Sequence, residues 1–417
     1  MSHVIVLGAG VIGLCTALEV AKRGHRVTVI DRGSEERSGC SYGNAGMIVP
    51  SHFVPLAAPG MVALGLKWMW NPESPFYIKP SLDPELLRWG WNFWKAATRE
   101  HVKRASPLLR DLHLRSRLLF EELAAACEND FGLNQRGLLM LCKTQRTLDE
   151  EADSAQVARE MGVPAEVLDA RHTNEMDPGI TMDVAGAVYY PKDCHLTPQL
   201  FMRTLQRLCK EAGVAFLWGA DAEALCAESG RVLAVKTSQG ETEGDEFVLC
   251  LGSWSSAFSK SVGLRLPMQA GKGYSLTLSN PRQLPHLCSI LTEARVAVTP
   301  MTGGSLRFGG TMEISGMSEA INPRRVQGII NAASRYFPEF SPEDLADVEP
   351  WSGLRPCSPD GLPYLGRTRY FSNLCIATGH AMMGLSLGPV TGHIVAQLIE
   401  KEQPEFDLTL LSPDRYG

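Results

Sequence analysis

The residues best suited to do chemistry in this 417-residue chain come almost at its start. Gly8-Ala9-Gly10-Val11-Ile12-Gly13 sets three glycines at the spacing G-x-G-x-x-G, and Asp31 follows about twenty residues on. Each residue type answers a demand that a dinucleotide makes. Gly8 suits a tight turn, Gly10 lets backbone N–H groups approach a pyrophosphate, Gly13 allows a helix to pack on a strand, and the Asp31 carboxylate accepts from ribose hydroxyls. A glycine run alone also occurs as a plain turn; here strand, turn, helix and terminal acid are all present, which favours the nucleotide. The pattern does not choose between FAD and NAD. Far downstream, Arg355 stands between Leu354 and Pro356 in WSGLRPCSPDGLPYLG, residues 351–366, where the proline restricts the backbone of the residue before it. A guanidinium held this rigidly needs a partner, and Asp360 is the structural candidate.

These residues need elements to position them. VIVLGAGVIGLCTALEVAKRGHRVTVIDR reads as a strand from Val4 to Leu7, a glycine turn, a helix with Val11, Leu14, Leu18 and Ala21 apolar, a stop at Gly24 and a second strand ending at Asp31. That is a βαβ unit. Residues 82–129 have helical spacing and little glycine, and Trp68, Trp70, Trp89, Trp91 and Trp94 cluster just before or within them, which predicts a helical insertion. GLLMLCKT, GAVYYP, GYSLTLS, RVAVTPM and SLRFGGTM predict an antiparallel sheet. HLTPQLFMRTLQRLCKEAGV offers Thr197 as N-cap, Pro198 at the first helical position and Gly213 as terminator, and the strands VAFLWG, VLAVKT and FVLCLG resume the α/β pattern. Near the end Val390, Ile394 and Leu398 share a helical stripe. The expected fold class is α/β, a Rossmann-type nucleotide-binding domain interleaved with an antiparallel-sheet substrate domain that carries the helical insertion.

Composition excludes several partners. A net charge of −6 with no long basic run argues against nucleic acid. Eleven cysteines, without C-x-x-C pairs or Cys/His ligand spacing, predict neither a disulfide framework nor a metal site, and point to a reducing compartment. No basic segment with a following apolar stretch and cleavage site precedes Val4, so secretion is not expected. Residues 38–66 carry no Asp, Glu, Lys or Arg, but Pro50, Pro55 and Pro59 with Gly39, Gly43 and Gly46 would break a membrane helix. The stretch is expected to be a buried loop, with no transmembrane segment. The expected location is cytoplasmic, with peripheral contact at the inner face of the membrane left open.

GAGVIG, SYGNAGMIVP, GKGYSL, LGSWS, WSGLRPCSPDGLPYLG and GHAMMGLSLGPVTG follow one another from residue 4 to about residue 400. With these motifs in this order the chain resembles the FAD-dependent D-amino-acid oxidase superfamily, which includes glycine oxidase, sarcosine oxidase and bacterial D-amino-acid dehydrogenase. SYGNAG and KGYSL resemble the dehydrogenase branch. The resemblance implies FAD as cofactor. It implies that the loop after the second strand crosses the pyrophosphate and flavin, which makes Ser41, Asn44, Gly46 and Met47 cofactor contacts beside Asp31 and Arg32. It implies that Gly252 and Trp254 approach the cofactor. Gly379, Gly384, Leu385 and Ser386 would lead a helix N-terminus, with its partial positive charge, toward the flavin pyrimidine edge. Arg355 matches the family's carboxylate-binding arginine. Tyr274 either hydrogen-bonds the substrate or packs within its strand, and His52 and His380 lie close to flavin motifs as positioned polar residues more than as required bases. Where glycine oxidase has an arginine, this chain has Met382 and Met383, which implies a roomier, more apolar pocket and argues against glycine as substrate.

The resulting assignment puts residues 1–49, 196–260 and 346–417 in the FAD domain and 50–195 and 261–345 in the substrate domain. The activity implied is oxidation of an amino acid, of D configuration or a cyclic imino acid such as a proline derivative, by hydride transfer from Cα to flavin N5 without a side-chain base. A quinone or protein electron acceptor is expected, and the tryptophans with the apolar run before Lys67 offer a surface for it or for a membrane interface. Alternatives are a sarcosine- or glycine-type amine oxidase, a subunit of a hetero-oligomeric dehydrogenase, and a non-catalytic FAD-binding assembly factor. Arg355 argues against the last, since a scaffold needs no carboxylate clamp.

Overall fold

The computed structural model describes residues 1–36, 39–69 and 74–417, so Trp70 of the tryptophan cluster lies outside the described residues. The apolar run Val4-Ile5-Val6-Leu7 lies inside a six-stranded sheet ordered Tyr364–Arg367, Leu374–Thr378, Glu246–Leu249, His3–Leu7, Arg26–Asp31, Ala215–Trp218. Every pairing is parallel except the one between Tyr364–Arg367 and Leu374–Thr378. Such a sheet is covered on both faces, so its strands are apolar throughout. Alternation then sorts the side chains. Val4 and Val6 join a core with Leu14, Leu18, Val390 and Ile394 of two helices. Ile5 and Leu7 join another, with Val232, Val235 and Phe247, beneath a meander of Ala222–Glu228, Arg231–Thr237 and Gly240–Glu243.

The helices Val11–Lys22 and Gly388–Ile399 cross at close range because glycine faces backbone. A Cβ on Gly392 would stand 2.5 Å from the carbonyl oxygen of Cys15, and one on Gly388 would stand 3.0 Å from the Val11 side chain. Their N-terminal ends therefore converge.

A second sheet runs Trp351–Cys357, Gln269–Leu278, Ser305–Ile314, Val296–Met301, Cys288–Leu291, Leu138–Cys142, Gly186–Tyr190, Glu166–Asp169, with Phe76–Ile78 alongside Ser305–Ile314. It is mostly antiparallel; Cys288–Leu291 with Leu138–Cys142 and Phe76–Ile78 with Ser305–Ile314 are parallel. The segment 346–417, assigned whole to the cofactor half, divides: Trp351–Cys357 pairs along Gln269–Leu278 as an edge of this second sheet. An edge strand tolerates Pro356, which has no N–H to donate to a further neighbour.

The insertion consists of the helices Pro84–Ala96 and Arg99–Ala126, whose first turns are capped by the Asp83 and Thr98 side chains. Trp89 is buried and its Nε1 donates to the Cys357 carbonyl at 2.9 Å, while Trp91 and Trp94 are exposed. The charge-free stretch 38–66 runs into a short helix, Met61–Trp68, on which Leu66 is exposed. Among the described residues no helix is long and apolar enough to cross a membrane.

Candidate active site

Gly8, Gly252 and Gly379 each follow a strand of the parallel sheet, and Asp31 ends one, all at the sheet's carboxyl edge. That edge, outside the strand ends, is where α/β sheets bind nucleotides. Gly8 has φ +103°, and a Cβ there would stand 2.5 Å from the Cys250 carbonyl oxygen; a Cβ on Gly13 would stand 1.8 Å from that of Gly8. Both are packing glycines. Gly10 differs, since a Cβ there would meet only Ser41 Oγ, at 3.7 Å. It faces open space, which is the room a pyrophosphate requires. The Asp31 carboxylate accepts from the N–H groups of Ala9 and Gly33, each at 2.7 Å, and so braces the glycine turn. Ser41 Oγ accepts from Val11 N–H at 3.1 Å, which ties the 41–47 loop to the helix start. Within that loop Asn44 Oδ1 accepts from Gly46 N–H at 2.8 Å, and Met47 pairs with His195. The Arg32 guanidinium stacks 3.8 Å over the Trp254 ring. Gly8, Gly10, Asp31, Gly252, Gly379 and the 41–47 loop thus lie at one edge.

Arg355 lies on the second sheet. A Cβ on Gly273 would fall 2.2 Å from both Nη1 and Nη2, so the guanidinium occupies the space over a missing side chain. Nη1 donates to the Thr311 carbonyl at 2.6 Å. Asp360, the structural candidate, is taken by Arg415 at 2.7 and 3.0 Å. Among the described residues no carboxylate lies within ion-pair distance of Arg355. Two places before Gly353, Trp351 fills a slot between glycines: a Cβ on Gly43 or Gly353 would stand 2.1 or 2.2 Å from its ring. A Cβ on Gly309 would lie 3.6 Å from Ala45, so this face of the sheet meets the 41–47 loop.

Five further predicted residues are Tyr274, His380, Leu385, Ser386 and His52, and their surroundings differ. Tyr274 is one residue from Gly273 and therefore points to the opposite face, where its hydroxyl donates to Glu313 at 2.9 Å inside the second sheet's core. It does not join Arg355. His380 is buried with Nε2 on Thr391 Oγ1 at 3.0 Å, anchoring the C-terminal helix, and burial lowers its pKa to about 3. Ser386 and Leu385 are buried, and Ser386 Oγ accepts from Val49 N–H at 3.1 Å and meets His113 Nδ1 at 2.9 Å. The Ser386 side chain thus holds the 49–52 segment. His52 belongs to that segment, with Nδ1 2.8 Å from Ser51 Oγ, and burial lowers its pKa to about 4.

The match to known proteins runs the length of the chain. Residues 3–398 match the family described as FAD dependent oxidoreductase. The chain belongs to the FAD-dependent oxidoreductase family. It is 32% identical over 421 residues to a D-amino acid dehydrogenase of Granulibacter bethesdensis, with 100% of both chains covered. It is 33% identical over 427 residues to a D-amino acid dehydrogenase of Agrobacterium fabrum, again with 100% of both covered. Among solved structures, glycine oxidase from Geobacillus kaustophilus superposes with a TM-score of 0.79 at 25% identity, covering 100% of each chain. L-proline dehydrogenase from P. horikoshii shares the fold, with a TM-score of 0.73 at 18% identity over 100% of this chain and 97% of that one.

FAD is the cofactor of this oxidoreductase, and the carboxyl edge of the parallel sheet fits it. Gly10 leaves space, and the two converging helix starts carry no side-chain cap at Gly10 or Leu387, which suits an anionic cofactor. Sequence reasoning missed Arg307. It is 3% exposed, and its Nη1 donates to the carbonyls of Tyr42 at 3.1 Å and Asn44 at 2.8 Å, with Nε on Thr277 Oγ1 at 3.0 Å. Burial alone lowers its pKa to about 10. It fixes the SYGNAG loop from beneath, and nothing local in SLRFGG marks it for that task.

Proposed function

We propose that this oxidoreductase oxidises an amino acid, of D configuration or a cyclic imino acid such as a proline derivative, at the Cα–N bond. Bound FAD supplies the hydride acceptor, and the protein supplies binding, orientation and electrostatics. The observation that carries this reading is Arg355, a guanidinium seated over Gly273 with a backbone carbonyl as its hydrogen-bond partner and its neighbouring acid committed to Arg415. Its remaining N–H groups suit a substrate carboxylate, held bidentately. The full-length relatives named D-amino acid dehydrogenase support the D configuration. In this reading Gly10, Asp31, Arg32, Ser41, Asn44, Gly46, Met47, Gly252, Trp254, Gly379 and Gly384 line the cofactor, Gly8 and Gly13 let the turn pack close beneath it, and the second sheet, with Trp351–Cys357, covers the substrate. Anaerobic addition of D- and L-amino acids, hydroxyprolines, sarcosine and glycine, read as flavin bleaching, tests it. Bleaching by sarcosine or glycine alone would favour the amine-oxidase reading, and none at all would leave an assembly factor.

The acceptor in this reading is a quinone or protein. The dehydrogenase names of the relatives support it, as do Leu87, Trp91 and Trp94, which stand exposed on the helix Pro84–Ala96 with Arg88 and Lys95 beside them. Aromatic and basic residues together suit peripheral contact with a membrane. Turnover with a quinone analogue, compared with turnover in air, tests the preference; stoichiometric peroxide at an equal rate would make the protein an oxidase.

A further inference from the structure

We propose that Asp193, Ser51 and His52 form a proton relay that takes up the proton leaving the substrate amine, an inference that rests on the amino-acid reading above. Asp193 is fully buried, and its carboxylate accepts from Ser51 N–H at 3.0 Å and Ser51 O–H at 2.5 Å. No cation among the described residues stands within ion-pair distance of it. Arg117, the guanidinium that acts on it from further away, is paired with Glu121 at 2.7 Å. Burial pushes the Asp193 carboxyl up to about 7. Tyr190, Cys194 and Cys288 are the other titratable groups around it, and Arg295 and His113 are those around His52.

One hydroxyl hydrogen makes this chain directional. Ser51 Oγ lies between Asp193 and His52 Nδ1, and it has a single proton to donate. When Asp193 is ionised, Ser51 donates to it and must accept from His52 Nδ1–H, which leaves a lone pair on Nε2. When Asp193 is protonated, it donates to Ser51, Ser51 donates to Nδ1, and the hydrogen of His52 sits on Nε2. A proton arriving at Nε2 therefore ends on Asp193: Nε2–H forms, Nδ1–H passes to Ser51 Oγ, and the Ser51 hydrogen passes to the carboxylate. The ammonium becomes an amine, the carboxylate a carboxylic acid, and His52 stays neutral throughout. After the product leaves, the proton returns to solvent along the same path.

The open end of the chain lies on the segment that joins the start of the C-terminal helix to the loop after Arg355. His52 is partly exposed, whereas His113 and His380 are buried. The 49–57 segment runs from Ser386 to Gly361, where a Cβ would stand 2.6 Å from Leu56 N. Arg295, in the turn before Val296–Met301, is the cation that acts on His52.

The test uses the holoenzyme and Asp193→Asn, Ser51→Ala and His52→Gln variants with a normal flavin spectrum, mixed anaerobically with D-alanine or D-proline from pH 5.5 to 9.5. In the wild type flavin reduction is expected to rise through an inflection near pH 7. In each variant that inflection should vanish, with reduction about 100-fold slower at pH 7.5 and recovering toward the pH at which the free amine deprotonates. Nitrogen-15 NMR of His52 reads the same switch without turnover: Nε2–H below pH 6 and Nδ1–H above pH 8.5 in the wild type. Asp193→Asn should hold Nε2–H at every pH, because its amide donates to Ser51. An unchanged pH profile in the variants, or a single tautomer in the wild type, would overturn the relay. If no amino acid bleaches the flavin but the tautomer still switches, the amino-acid reading fails and the relay itself stands.

Discussion

Arg355 and Gly273 act as one unit, a charge and the absence of a side chain that lets it lie flat. Arg355→Met is expected to keep the flavin spectrum and lower kcat/KM for the amino acid by about 10- to 150-fold, the equivalent of about 1.5–3 kcal/mol for hydrogen bonds to a charged group. Lysine should restore part of it, as a point charge in place of a fork. Gly273→Ala, with its Cβ 2.2 Å from the guanidinium, should displace the arginine and give the same loss with Arg355 intact. Steady-state kinetics with absorbance at the flavin bands check all three. Asp193 carries a stability consequence as well. Its folded pKa, raised to about 7 by burial, means that the folded state holds a proton the unfolded chain has lost, so stability falls as pH rises from about 4 to about 7. Asp193→Asn should therefore gain on the order of 2 kcal/mol at pH 8 and nothing at pH 4, read from urea midpoints. At this scale the sequence exposed Arg355 because Pro356 and a run of motifs single it out. It could not expose Arg307, or Ser51 with Asp193, because their partners come from far along the chain: 142 residues separate Ser51 from Asp193 and 263 separate Arg307 from Asn44.

Elements were legible where sterics are local. The first strand, turn and helix follow from glycines whose demands are met within a few residues, and the proline and glycine limits of Pro198–Glu211 stand where the spacing set them. Tyr274 shows where reading stops: Gln269–Leu278 is buried over most of its length, so no polar alternation reveals which side chains share a face. Trp351–Cys357 is illegible for a related reason, since a short strand with one proline suits an edge of either sheet. The crossing of the first and last helices offers a test at this scale. Gly392→Val puts methyl groups against the Cys15 backbone, where even a Cβ would stand 2.5 Å away. It should destabilise by about 1–3 kcal/mol and weaken FAD retention, measured by thermal melts and flavin release on dilution. Gly10→Val fills the space at the helix start instead, and should fold normally but purify colourless.

The whole molecule holds several histidines neutral. His52 and His195 are lowered to about 4, and His113 and His380 to about 3, by burial. An unfolded chain takes up those protons near pH 6.5 and the folded chain refuses them, so their contribution is complete above about pH 6.5 and lost as pH falls toward 4. Tm at fixed FAD is expected to drop steeply between pH 6 and pH 4.5, and His113→Gln should make that drop shallower by one proton. Asp193 tilts the curve the other way, but it is a single group against four. The two halves are woven together: the first strand lies between Arg26–Asp31 and Glu246–Leu249, and Leu374–Thr378 joins only beyond the latter. On the ribosome, about ten to fifty seconds separate the emergence of Leu7 from that of Glu246 at about 5–20 residues per second. Throughout that interval the first strand lacks one of its two neighbours, so the sheet that holds the flavin is completed only late in synthesis.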